Sequence, residues 1–500
     1  MAMSEDIQES DWKLFRNMAL ELRFSQRRAL GTGGRVLAGM LLLGLAACSA
    51  PASVVPEDGY PLYLQACELQ DRLGASTNDA LRSELNDFLN TGIGPGTGVV
   101  ALVEQLQPVF SKIVQAARAP VWTPPDVRSI TAETGFPSTR PWMQLNRAGT
   151  VRAIQLLHEG RPEESLSFLA AFNDIGMKYA RSGTIMNTML HIGSRSMHRA
   201  VLAAAIDALP ADSLPAAFAD ARRQFAQIPS MATCMIGERA MAVNTAKGLF
   251  ISLKEDDGLK ALRREMIKGL EQKGLDEPAR RRIESGEALG IAQWEEQMLG
   301  DVDRVFTVIL EGLTNGPSHQ LPSLDERVEK AVAATAGGLD WDEIQEGWES
   351  LATNFLSQSF SMADAERFHR QIGQALSHAY LSMCFPTSSG IGLQYRDFIA
   401  AERLVLVRLA SRLHTQRHGG PPTSLQQLVD EQWLEAEQIV DPLSEKPFLL
   451  RSGSAFEAYG VGKNFQDDQG KRWDSRVKTG DTILIPMKAI WDAEATSRRR

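Results

Sequence analysis

Apolar residues recur at three- and four-residue spacing through most of this chain. Val103, Leu106, Phe110, Ile113 and Ala117 form one stripe, Met197, Val201, Ala204 and Ala208 a second, and Phe368, Ile372, Leu376 and Ala379 a third. One-sided recurrence of this kind predicts amphipathic helices. Breakers separate them: the glycine-rich run Gly92 to Gly98, Pro120 to Pro125, Gly160-Arg161-Pro162, Pro210, Pro229 and Gly316-Pro317. The alternation that marks strands is nearly absent from Tyr60 to about His414, so residues 60–400 are expected to form an all-α domain. Lys254 to Ala288 is dense in charge, with Arg280-Arg281-Arg282 after Glu277-Pro278, and reads as a solvated helical insertion or a mobile arm.

Within the helical region, Val151 to His158 is helical, Glu159-Gly160-Arg161-Pro162 turns, and Glu163 to Ala180 is helical again with Leu166, Leu169 and Ala170 facing inward. A helix, a glycine turn and a second helix opening on Glu163-Glu164 resemble a tetratricopeptide-type hairpin. The strict consensus of that repeat is missing and no fixed period recurs, so the expectation is a degenerate helical-repeat array.

The pattern changes near the C-terminus. A helix through Leu404, Leu406 and Leu413 should end at His418-Gly419-Gly420, with Pro421-Pro422 beyond it. Ser424 then opens a short helix, Leu425 to Val429, with Gln427 placed for a capping box. Asp441-Pro442 starts a turn, followed by three strand-like pieces: Phe448-Leu449-Leu450, Phe456 to Val461, and Thr482 to Ile485. The fold class expected is mainly α: a helical-repeat-like α-hairpin array, then a small C-terminal α+β module over residues 401–490 and a tail over 491–500.

The order from Leu404 to Ile485 resembles the globular part of type II secretion pseudopilins: a long helix, a Gly-Pro break, a Ser-Leu-x-x-Leu helix, an Asp-Pro turn, and a Tyr-x-x-Gly strand end before an Asp-rich loop. Similar tails occur in bacterial proteins with a helical upstream part and a Leu-Tyr-Leu start like Leu62-Tyr63-Leu64. In many major pseudopilins the Asp-rich loop binds calcium. The resemblance therefore implies a calcium site at Asp467, Asp468 and Asp474, where hard oxygen donors share one short loop. Lys463, Lys471 and Arg472 would partly neutralise such a site, and EF-hand spacing is absent. The alternative is a polar hairpin loop in which Asp and Asn satisfy turn backbone. The prepilin signal of a true pseudopilin is also absent, so the chain is not expected to be a pilus subunit.

The N-terminus carries an address. Arg27, Arg28 and Arg35 lead into the apolar run Val36 to Ala47, which ends Leu45-Ala46-Ala47-Cys48. A basic flank, a short apolar core and small residues before a cut make a secretory signal over residues 1–47. Cysteine directly after Leu-Ala-Ala resembles the lipobox of bacterial lipoproteins. The resemblance implies diacylglycerol on the Cys48 sulfur, cleavage before it, and acylation of the new amine. The competing reading is a transmembrane anchor, but the run falls short of the ~20 residues needed to span a bilayer. Acid ahead of the signal (Glu5, Asp6, Glu9, Asp11, Glu21) is unusual and suggests initiation at Met18; Ser25-Gln26-Arg27-Arg28 resembles a twin-arginine signal only weakly. Ser49 after the cysteine implies sorting to the outer membrane, periplasmic face, with residues 48–59 as a tether.

Composition narrows the function. The chain has a formal net charge of −9 and no large basic patch, which argues against nucleic-acid binding. With 43% hydrophobic residues it can bury a substantial core. Cys67, Cys234 and Cys384 remain after lipidation and show no metal-ligand spacing; one disulfide or three buried thiols fit. His414 and His418 stand four apart, but Thr415 occupies the general-base place of His-Glu-x-x-His, and both read as cationic residues of a last helical turn. His191 and His198 read as polar-face residues. Gly92 to Gly98 lacks the lysine and the preceding strand of a phosphate loop, and Ser475-Arg476-Val477-Lys478 lacks the other penicillin-binding motifs. With no catalytic constellation, the expected function is a lipid-anchored, non-catalytic interaction or scaffold module. Its partners would be the membrane, through lipid, and an envelope protein; the alternative is a cell-envelope hydrolase.

Overall fold

A computed structural model describes residues 58–73, 97–126, 139–181, 184–255, 277–284, 291–316, 318–335, 388–451, 456–471 and 477–484, with scattered positions between 374 and 381. The signal, Cys48, Cys384, Asp474 and the Phe368 to Ala379 stripe lie outside the described residues. The helices are α1 (Gly59–Arg72), α2 (Thr97–Gln105), α3 (Gln107–Arg118), α4 (Thr139–His158), α5 (Pro162–Ala180), α6 (Ile185–Ala208) and α7 (Leu214–Phe225). They continue as α8 (Met231–Glu255), α9 (Glu277–Glu284), α10 (Ile291–Thr314), α11 (Leu324–Thr335), α12 (Ser388–His418) and α13 (Leu425–Asp430). Every described strand follows α13, so the protein is mainly α with a small C-terminal sheet region. Among the described residues no helix is long and apolar enough to cross a membrane.

The hairpin foreseen around Gly160 is formed by α4 and α5. Gly160 takes φ +73°, a left-handed value that suits glycine. The Gly160 amide donates to Leu157 and the Arg161 amide to Leu156, closing the helix end as a Schellman motif. Pro162 restarts the chain at the first turn of α5, where no amide is needed. The α5–α6 pair is tight because Gly176 faces the His191 ring; a Cβ there would overlap the imidazole.

Three apolar clusters fill the interior. The first joins α1 to α6 through Tyr63, Val103, Phe110, Ile113, Trp142, Phe172 and Val201. The Val103 to Ala117 stripe is buried throughout, although the helix breaks at Leu106 and restarts beside Pro108. The second cluster packs α8 on α10 and α11 around Phe250, Trp294, Phe306 and Leu324. The third joins the end of α6 and α7 to α12, α13 and the strands, through Ile206, Phe218, Leu404, Leu413, Leu428, Phe448 and Leu484. The Met197 to Ala208 stripe needs correction: only Val201 is fully buried and Ala208 is exposed, because α6 is a central helix covered on several sides.

Helix α12 ties these regions together with arginines aimed at helix ends. Arg396 donates to the Gly316 carbonyl just beyond α10. Arg412 donates to the Ile206 carbonyl and, at 3.0 Å, to that of Leu209 at the end of α6. Cations at these carbonyl-rich termini favour the helix dipole. Lys178 does the same for α3, donating to the carbonyls of Ala116, Ala117 and Ala119 at 3.2, 2.8 and 3.0 Å.

The C-terminal strands follow the expected order. β3 (Leu449–Leu450), β4 (Ala458–Gly460) and β5 (Thr482–Ile483) form an antiparallel sheet with β4 in the middle. A further hairpin was not foreseen: β1 (Val440–Asp441) pairs with β2 (Lys446–Pro447) across the Asp441-Pro442 turn. The buried Asp441 carboxylate organises that turn, accepting from the amides of Leu443, Ser444 and Val461 and from the Ser444 hydroxyl. The capping box also differs. Ser424 Oγ accepts from the Gln427 amide as expected, but the Gln427 side chain accepts from Thr423 instead. The reciprocal box stands at Glu435 and Gln438.

Candidate binding groove and polar clusters

Two helix faces with identical spacing line a concavity between α5 and α7. On α5 the face runs Glu163, Leu166, Ser167, Ala170, Ala171 and Asp174; on α7 and its lead-in it runs Ser213, Ala216, Ala217, Asp220, Ala221 and Gln224. Each advances by three, one, three, one and three residues, so each keeps to a single helix face. The two helices run in the same direction. Ser213 donates to Glu163 at 2.8 Å near one end, and Arg223 approaches Asp174 at 3.7 Å near the other. Leu202 and Ile206 of α6 and Val405 and Leu409 of α12 supply apolar lining, and the cleft encloses about 620 Å³. Eleven steps of 1.5 Å from the first to the last residue of each face give a trench roughly 16 Å long, three turns of a helix.

Small side chains keep the middle of the trench open, and charge gathers toward its ends. Asp220 accepts from Arg223 at 2.6 Å and from Gln224 at 2.9 Å, while Asn173 donates to Gln224 at 2.7 Å. Burial pushes the Asp174 carboxyl up, against the pull of Arg223, and Asp174 Oδ1 is enclosed without a hydrogen-bond partner. The groove thus has apolar walls, with an acidic cluster held by Arg223 at one end.

A buried polar cluster lies next to this lining. Arg195 of α6 makes a two-pronged pair with Glu402 of α12, Nε to Oε1 at 2.7 Å and Nη2 to Oε2 at 2.9 Å, with both side chains under a tenth exposed. His191 and His198 flank it on α6. They are not on a polar surface face as the sequence suggested: they are 2% and 1% exposed. Each ring packs edge-on against a phenylalanine, Phe398 and Phe172 respectively. Burial holds the imidazoles neutral, lowering His191 to about 4 and, with help from the Arg195 charge, His198 to about 3.

The end of α12 holds a third cluster. His414 Nδ1 and His418 Nε2 lie 3.0 and 3.2 Å from the same oxygen, Glu431 Oε2. Trp433 Nε1 donates to that oxygen at 3.1 Å and Gln427 Nε2 to Oε1 at 3.3 Å. Burial pushes the Glu431 carboxyl up, but hydrogen bonds from His414 and Trp433 win and hold it at about 2. The two histidines therefore do more than complement the helix dipole. Glu431 escaped sequence reasoning because it lies beyond the Gly419 to Pro422 break.

The Asp-rich loop is built from turn contacts. Asp467 Oδ1 accepts from the Tyr459 hydroxyl and the Gln469 amide; Asp468 Oδ2 accepts from Asn464 Nδ2 and the Gly480 amide. Asp481 accepts from the Asp468 and Gly470 amides. Cys67 and Cys234 are buried free thiols, with Cys67 pushed up to about 12 by burial.

No protein-family model, no curated protein and no solved structure matches the chain.

Proposed function

We propose that this chain is a lipid-anchored cell-envelope protein that binds a partner polypeptide in the groove between α5 and α7. The matched faces carry this reading. A trench of three helical turns, lined by alanine and serine and floored by leucine, isoleucine and valine, suits the apolar face of an amphipathic helix. Cys48 supplies the membrane attachment, since multiple acyl chains at roughly 0.8 kcal/mol per buried methylene anchor stably. The helix and three-stranded sheet after residue 401 are in keeping with a pseudopilin-like head. A hydrolase is the competing reading. Against it, Arg223 faces both Asp174 and Asp220, so these carboxylates form an ion-pair cluster and not an open acid–base pair.

Two experiments test the proposal. Mass analysis of the purified N-terminus should show an acylated Cys48, and Cys48→Ser should accumulate uncut precursor; a soluble, unmodified wild-type product would refute the anchor. Affinity capture from detergent-solubilised membranes should recover a partner with wild type. Ala217→Trp, which fills the trench, should retain at least tenfold less, about 1.4 kcal/mol, with an unchanged melting midpoint. Undiminished capture by the folded variant would remove the groove from the function.

A further inference from the structure

The geometry points to a divalent transition-metal site of the zinc class at His414, His418 and Glu431, joining the end of α12 to the segment after α13. One donor atom from each residue can be chosen so that all lie within 4.8 Å of one another. The two nitrogen-to-oxygen separations, 3.0 and 3.2 Å, are close to the edge of a zinc tetrahedron. For metal–donor bonds of about 2.0 Å that edge is roughly 3.3 Å. One cation among these three donors can therefore replace the two histidine hydrogen bonds to Glu431 Oε2.

The donor set selects the class of ion. Two imidazoles and one carboxylate suit zinc and its first-row neighbours, whereas calcium and magnesium prefer all-oxygen shells. Three protein ligands leave a fourth position for water. The His418 side chain is 45% exposed and gives access, while His414 at 3% anchors the inner side. Trp433 and Gln427 hold the carboxylate from outside the ligand set, as supporting partners of metal ligands commonly do. The cation would also sit at the carbonyl-rich terminus of α12, where positive charge is favoured.

The test uses tag-free full-length protein stripped with chelator and titrated with zinc chloride by calorimetry. Wild type should bind one zinc ion per chain, in preference to magnesium, and melt at a higher temperature with zinc than with chelator. His418→Ala and Glu431→Gln should each weaken binding by at least about tenfold and lose the zinc-dependent midpoint shift. His418 is half exposed, so its variant should melt like metal-free wild type, which keeps loss of binding distinct from loss of fold. If stripped wild type takes up no zinc, or His418→Ala binds it as tightly as wild type, the site does not exist.

Discussion

Glu402→Leu should destabilise the chain by about 3–5 kcal/mol, because it leaves the Arg195 guanidinium buried without its counter-ion. The pair is two-pronged and under a tenth exposed on both sides, so solvent cannot make up the loss. The double variant Arg195→Met with Glu402→Leu should behave differently. Removing both charges removes both desolvation costs, and such replacements are often neutral or stabilising by about 1–4 kcal/mol. Urea unfolding of wild type, both single variants and the double variant gives the coupling directly. A double variant no more stable than Glu402→Leu would show that the pair holds α6 and α12 together by more than mutual neutralisation.

Acid should weaken the fold through His191 and His198. In the folded chain these rings stay neutral down to about 4 and about 3, whereas unfolded histidine protonates near 6.5. Between those values the unfolded state binds more protons, so stability rises with pH. The contribution is complete above the unfolded value and is lost as pH falls below it. At about pH 5 each ring should cost about 2 kcal/mol, some 4 kcal/mol for the pair, at 1.36 kcal/mol per pKa unit. Asp174, whose carboxyl is pushed up by burial, works in the opposite direction. Denaturant midpoints at about pH 7.5 and about pH 5 should therefore diverge more in wild type than in the His191→Gln, His198→Gln double variant. Equal divergence in the two proteins would assign the acid sensitivity elsewhere.

The helices were legible because each needed only a local signal. The Gly160 turn, the restart at Pro162 and the Val103 to Ala117 stripe are written in adjacent residues, and the structure carries them as expected. The α+β end was legible for the same reason, down to the middle strand at Tyr459. The β1–β2 hairpin was missed because its strands are two residues each, too short to show alternation. The polar clusters were missed for another reason. A histidine on a helix reads as surface until its cover is known, and the Arg195 partner lies 207 residues away on α12. The groove did leave a trace: two six-residue patterns, mostly of small and acidic side chains, with the same spacing. It meant little until folding set α5 beside α7.

Helix α12 has a consequence for how this protein can be taken apart. One side of the helix carries Val405 and Leu409 at the groove, while Leu404, Leu413 and their neighbours share a cluster with Leu428, Phe448 and Leu484. Among the described residues the C-terminal module therefore has no interior of its own, because its floor is also the floor of the groove. Recombination that exchanged the segment after residue 400 as a cassette would cut through α12 and uncover apolar surface on both products. A graft that respects the molecule must carry α12 whole from Ser388, together with something shaped like α6 and α7 to receive it. The transferable unit is the shared helix with both of its tenants.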